Sequence, residues 1–153
     1  MRKVKDIMST NIVSVTMEDN IYEIAVKMKE HDIGFVPVVE GKKLLGVVTD
    51  RDLVLRGYAE KRSGSASVKE VMTTGIATVS PETTVDEASR IMAREKVRRL
   101  PVVDNGQLVG VVALGDMAVR SVHEDEAGEA LSEISENTNK ANADGKVEYA
   151  GVR

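Results

Sequence analysis

The chain has 153 residues, no cysteine, two histidines and a formal net charge of −4. That length allows one ordinary domain or two small ones, and the missing cysteines exclude disulfides, thiolate nucleophiles, Cys-ligated zinc and iron–sulfur clusters. An acidic balance with one Phe, three Tyr and no Trp argues against nucleic-acid binding, which needs a basic face or aromatic stacking platforms.

Read from its start, the chain carries basic residues with no apolar run behind them, and no stretch nears the ~18 apolar residues of a membrane span. It is expected to be cytoplasmic. The segment from Val4 to Thr10, Val-Lys-Asp-Ile-Met-Ser-Thr, recurs as Val-Lys-Glu-Val-Met-Thr-Thr from Val68 to Thr74. Pairing every residue with the one 64 positions on, from Val4 to Arg56, gives 18 identities in 53 positions without a gap. Two copies of one supersecondary unit account for this. The boundaries expected are repeat 1 over 1–60, a linker over 61–67 rich in small polar residues, repeat 2 over 68–124, and an acidic tail over 125–153.

Within each copy the periodicities predict a β-α-β-β-α order. Ile12–Val15 and Ile76–Val79 are short strand candidates. Asn20 with Glu23, and Thr84 with Glu87, stand in capping-box positions at helix starts. Ile21, Ile24, Ala25 and Met28 form an apolar stripe ending near His31, and Val85, Ala88, Ile91 and Met92 repeat it. Phe35–Val39 and Leu44–Val48 are nearly continuous apolar strands around a turn at Glu40–Lys43. A second helix is predicted from Asp50 to Arg56, and from Leu114 to beyond Arg120. Neither copy buries its small sheet alone, so the two are expected to pack together. The paired methionines Met8/Met72 and Met28/Met92 read as core fillers, and His31 suits the negative end of its helix. In the tail, Ala127, Ala130, Leu131 and Ile134 predict an acidic helix to about Glu136, followed by a mobile polar end.

These features resemble the CBS domain, named for cystathionine β-synthase, and the pair resembles a Bateman module. The residues that carry the likeness are Met8-Ser9 and Met72-Thr73, the helices around Glu23 and Glu87, Pro37-Val38-Val39-Glu40 and Pro101-Val102-Val103-Asp104. To these add Gly46-Val47-Val48 followed by Asp52, and Gly110-Val111-Val112 followed by Asp116. The resemblance implies an α+β fold of two pseudo-twofold-related βαββα repeats, packed through their sheets and leaving two clefts. It also implies a non-enzymatic regulatory module that binds AMP, ADP or ATP, with S-adenosylmethionine or NAD less expected, and requires no cofactor. A homodimer and an unidentified effector protein are the implied partners.

By the same resemblance, Asp52 would accept the ribose hydroxyls, the Thr49 hydroxyl would meet a phosphate, and Arg51 would stand beside them. A carboxylate is an acceptor suited to a diol, and a helix start suits phosphate. From spacing alone, Thr49-x-x-Asp52 is equally an N-cap with an acid at its third position. The second copy reads Ala113-Leu114-Gly115-Asp116, keeping the acid and losing the hydroxyl. Arg98 and Arg99, where the first copy has Gly34 and Phe35, are either phosphate ligands or a solvated pair. The base would lie near Val13 for the Asp116 site and near Ala77 for the Asp52 site, held by backbone and apolar contacts. The rival expectation is a structural dimerisation module with empty clefts. Nothing resembles a P-loop or a dinucleotide fingerprint, and Asp50-Arg51-Asp52 and Glu124-Asp125-Glu126 lack calcium-loop spacing.

Overall fold

A computed structural model describes residues 1–121 of the chain; the expectations for the acidic tail lie outside the described residues. The elements are α1 (Ile21–His31), β1 (Phe35–Glu40), β2 (Lys43–Thr49), α2 (Asp50–Asp52, continued as a π-helix over Leu53–Tyr58), α3 (Val85–Glu95), β3 (Arg99–Asp104), β4 (Gln107–Ala113) and α4 (Leu114–Ser121). Short 3₁₀ turns open each repeat at Val4–Asp6 and Val68–Glu70.

The helices start where the sequence places them. The Asn20 side chain accepts from the Glu23 N–H at 2.8 Å, while Glu23 accepts from the Asn20 N–H at 3.2 Å. Thr84 accepts from the Glu87 N–H at 3.2 Å. Ile24 and Met28 are buried, but Ala25 is exposed, so the α1 stripe is narrower than its periodicity predicts. In α3 the buried set is Val85, Ala88 and Met92. The second helix of repeat 1 runs two residues further than expected, because Ala59 N–H bonds the Val54 carbonyl at 2.8 Å, a five-residue step.

Each hairpin pairs antiparallel, Pro37 with Val47 and Pro101 with Val111, and each carries a bulge that passes over Leu45 and Val109. The two hairpins join into one four-stranded sheet in the order β1-β2-β4-β3. The join is slight: Lys43 pairs with Gln107, and the Leu108 N–H donates to the Lys42 carbonyl at 2.7 Å.

The expected first strands are single bridges instead. Val15 bridges Val38 and Val79 bridges Val102, both parallel. Val15 N–H donates to the Pro37 carbonyl and Val39 N–H to the Val15 carbonyl, at 2.9 and 2.8 Å. Continuing that ladder one step back would need an N–H from residue 37 to reach the Val13 carbonyl. Proline has none, so the ladder stops. Pro101 stops the second copy before Ala77 in the same way.

The opening turns are exchanged between the repeats. Val4 and Ile7 lie in a core with Val79, Val85, Ala88, Leu100, Val102 and Val112, whereas Val68 and Val71 lie with Val15, Ile24, Val36, Val38 and Val48. Backbone hydrogen bonds seal each exchange. Val85 N–H donates to the Arg2 carbonyl at 3.0 Å, and Ile21 and Tyr22 N–H donate to the Ala66 and Gly64 carbonyls at 3.0 Å. The segments that lead into the exchanged turns therefore satisfy N–H groups that a helix start cannot pair internally. Further on, Ser9 bridges Val111 and Thr73 bridges Val47. This crossing explains the glycine in both Gly-Val-Val segments. A Cβ on Gly46 would stand 2.6 Å from the Thr73 carbonyl oxygen; on Gly110 it would stand 2.7 Å from the Met8 sulfur and 3.0 Å from the Ser9 carbonyl oxygen. Outside the core, Lys3 and Lys5 both bond Glu82, at 2.6 and 2.8 Å. The hydrogen bonds from Lys3 and then Lys5 hold this carboxyl down at about 2, against an ordinary 4.5.

Two outcomes follow for stability. Gly46→Ala is expected to destabilise by about 1–3 kcal/mol in urea unfolding, and Gly110→Ala by less, because a methionine side chain yields where a backbone carbonyl does not. The Glu82 link has a lowered folded-state value, so its contribution is complete above pH 4.5 and fades as pH falls through about 2. A series of melting temperatures against pH should show Glu82→Gln less stable than wild type at neutral pH, with the gap closing towards pH 2.

Candidate functional site

Two connectors cross between the repeats. One leaves β2 at the Thr73–Val47 bridge and arrives beside β3 at Val79; the other leaves β4 at the Ser9–Val111 bridge and arrives beside β1 at Val15. Ala77 lies on the first and Val13 on the second, each two residues before the bridge that proline truncates. Both residues are half-buried, and Ala77 packs against the core of repeat 2. The topology thus puts Ala77 on the path from the strand that ends at Thr49, and Val13 on the path from the strand that ends at Ala113.

At the end of β2 the structure builds a full capping box. The Thr49 hydroxyl accepts from the Asp52 N–H at 3.1 Å, and Asp52 Oδ2 accepts from the Thr49 N–H at 2.9 Å. Both candidate polar groups are thereby oriented, and Asp52 retains its second oxygen, Oδ1, which lies 3.9 Å from the Arg56 Nε. The Asp52 side chain is only 18% exposed. Arg51 is exposed, and its N–H is bonded to the Asp50 side chain at 2.8 Å. The Asp50 carboxylate also crowds Gly34, where a Cβ would meet it at 2.7 Å.

The corresponding place in repeat 2 has the opposite electrostatic character. The Leu114 N–H donates to the Arg98 carbonyl at 2.8 Å, matching Asp50 to Gly34 at 3.0 Å. Arg99 pairs across the strands with Ala113. Arg98, Arg99 and Asp116 are all exposed, and the fold brings the two arginines to the start of α4. One helix start therefore carries Thr49 and two acids, Asp50 and Asp52, with one arginine, Arg51, and the other carries two arginines with one acid. A guanidinium fork matches phosphate oxygens, so the second place is better furnished for anionic groups and the first for hydroxyls.

Sequence reasoning missed Arg56. Its Nη1 donates to the Met72 carbonyl at 3.0 Å and to the Val71 carbonyl at 3.4 Å, tying the start of a connector to the helix that bears Asp52. The available signal was an acid four residues ahead of an arginine on a helix. Elsewhere, a cavity of about 320 Å³ between α3 and α4 is lined by Arg2, Asp86, Ser89 and Met117 among others, and by none of the candidate residues. Among the described residues no group of three His, Cys, Asp or Glu is placed to hold a metal, and no helix is long and apolar enough to cross a membrane.

The sequence model of the CBS domain matches residues 4–57 and again 68–123. The CBS domain-containing protein YhcV of Bacillus subtilis is 45% identical over 135 residues, which is 88% of this chain and 96% of that protein. Among solved structures, CBSX2 in complex with AMP aligns with a TM-score of 0.71 at 27% identity, covering 80% of this chain and 98% of that one. The CBS domain pair of protein MJ0100, in complex with 5′-methylthioadenosine and S-adenosyl-L-methionine, aligns with a TM-score of 0.74 at 26% identity, covering 82% and 99%. With the family's sequence pattern present twice, in two repeats that share one sheet and exchange their opening turns, the chain belongs to the CBS-domain family as a CBS-domain pair.

Proposed function

We propose that the protein is a non-enzymatic, cytoplasmic sensor of an adenosine-containing ligand, which it binds between its repeats and reports to a partner protein through their relative arrangement. The observation that carries this is the twofold recurrence of a first-turn carboxylate, Asp52 or Asp116, that follows a strand bridged by a crossing connector, and of a carbonyl further along that connector, Ala77 or Val13, that proline leaves outside the ladder. A carboxylate accepts from vicinal hydroxyls, and an unladdered carbonyl accepts from an exocyclic amine. Together they provide acceptors for a ribose and an aminopurine. The AMP and S-adenosylmethionine complexes of related CBS pairs support the same ligand class.

AMP, ADP and ATP are the favoured candidates, with S-adenosylmethionine and NAD behind them. Arg98 and Arg99 supply the charge for phosphates beside Asp116, whereas Thr49 offers one hydroxyl and Arg51 one exposed cation beside Asp52. Phosphorylated ligands are therefore assigned first to the Asp116 site. Binding shifts the protein between arrangements only by the ligand's difference in affinity for them. A homodimer is the assembly proposed, through the helical face where Tyr22, Val54, Leu55 and Tyr58 are 66%, 57%, 48% and 86% exposed. That much apolar side chain on one set of helices is a docking feature.

The test is a thermal-shift panel of AMP, ADP, ATP, NAD and S-adenosylmethionine on wild type, Asp52→Ala and Asp116→Ala. At a hundredfold excess over the dissociation constant, a true ligand adds about 2.7 kcal/mol to stability. AMP is expected to raise the melting temperature of wild type, with the response most reduced in Asp116→Ala. A flat response to all five ligands would overturn the sensor reading in favour of a structural dimerisation module. Undiminished responses in both variants would overturn the ribose assignment. For assembly, sedimentation of Leu55→Glu with Tyr58→Glu is expected to show monomer where wild type shows dimer.

A further inference from the structure

Arg56 joins the candidate ligand carboxylate to the backbone by which one repeat crosses into the other. Its Nε faces Asp52 Oδ1 at 3.9 Å, while its Nη1 donates to the carbonyls of Met72 and Val71. The Met72 carbonyl and the Thr73 N–H belong to the same peptide group. That N–H donates to the Val47 carbonyl at 2.9 Å, and the Val47 N–H returns a bond to the Thr73 carbonyl at 3.0 Å. One planar peptide thus has its oxygen on Arg56 and its N–H on β2.

The surroundings of Arg56 hold it to this task. Arg62 Nε donates to the Arg56 carbonyl at 2.9 Å, and Arg62 Nη1 pairs with Glu70 at 3.1 Å. The π-helical segment over Leu53–Tyr58 carries the side chain, and a widened helical turn of this kind is a common device for placing a functional residue. The sequence keeps an acid and an arginine four apart in the second repeat as well, Asp116 and Arg120.

We infer that Arg56 is a positioning residue that transmits the state of the Asp52 carboxylate to the crossing at Thr73, and so couples ligand occupancy to the join between the repeats. The inference rests on the ribose role proposed for Asp52. A ligand hydroxyl that bonds Oδ1 competes with the guanidinium for that oxygen. Arg56 then loses the group that orients it, its hold on the Met72 carbonyl weakens, and the Thr73–Val47 pairing loosens.

The experiment is amide hydrogen exchange on the full chain, reading Thr73 relative to Val103, for wild type, Asp52→Asn, Arg56→Gln and the double variant, each with and without AMP. Without ligand, Asp52→Asn is expected to speed Thr73 exchange about two- to fivefold, the scale of a partly exposed ion pair, and to have no such effect once Arg56 is Gln. Arg56→Lys, which keeps the charge but not the fork, is expected in between, and it replaces Arg56→Gln if that variant does not fold. AMP at a concentration that fills the Asp52 site as well as the Asp116 site should speed Thr73 exchange in wild type and leave it unchanged in the Arg56 variant, which still binds AMP. Equal acceleration by Asp52→Asn in both backgrounds, or none in wild type, would overturn the coupling role. Absence of AMP binding to wild type would instead overturn the sensor reading, while the ligand-free comparison still decides whether Arg56 links Asp52 to the crossing.

Discussion

Each repeat finishes its core with the opening turn of the other, and the rest of the structure follows from that exchange. Val4 and Ile7 fill repeat 2, and Val68 and Val71 fill repeat 1. Burying four aliphatic side chains in this way contributes on the order of 6–12 kcal/mol before ordering costs, whereas the sheet join rests on a single residue pair. The hairpins alone would be a weak union. The exchange also dictates that two connectors cross the middle, that β2 and β4 carry a glycine beneath them, and that helix starts receive their missing acceptors from the segments that lead into the exchanged turns.

Much of this architecture was legible because it repeats. Periodicity located both hairpins and all the longer helices, and Asn20 and Thr84 marked their helix starts by side-chain chemistry alone. The first strands are shorter than their apolar pattern predicts. Ile12–Val15 has the apolar character of a strand, but the limit on pairing comes from a proline more than twenty positions away, a long-range effect that local pattern cannot express. The exchange was also hidden, since Val4 and Val68 look alike and either core would accept either valine; only backbone path decides. At the candidate site, Thr49 and Asp52 were legible as a pair, and their spacing fits both a helix cap and a ligand contact. The structure shows the cap made and leaves one carboxylate oxygen facing Arg56. Arg56 had one cue in sequence, the acid four residues ahead of it, but its bonds to the main-chain carbonyls of Val71 and Met72 have no signature there.

The repeats are alike in fold and unlike in charge. Where repeat 1 sets a glycine against the Asp50 carboxylate, repeat 2 sets an arginine, and the next position changes from Phe35 to Arg99. Duplicated scaffolds allow such divergence because the positions at issue lie at strand entrances and first helical turns, where few side chains are buried. The core positions, by contrast, stay apolar in both copies and are often identical, as at Val15 and Val79, Met28 and Met92, Val38 and Val102, and Val48 and Val112, since each core must accept the other's opening turn.

The exchange has a consequence for how the chain acquires its structure. Lys3 and Glu82 are 79 positions apart, and the neighbouring Val4 is fully buried in a core made mostly of residues from Val79 onward. During synthesis the first repeat emerges with its own opening turn unable to dock and its core lacking Val68 and Val71. Its core is complete once Val68 and Val71 follow the linker, whereas Val4 and Ile7 wait until the second repeat is made. Contacts this distant in sequence slow folding and prolong exposure of apolar surface. The short linker keeps the first interval brief, so the core of repeat 1 can close before that of repeat 2.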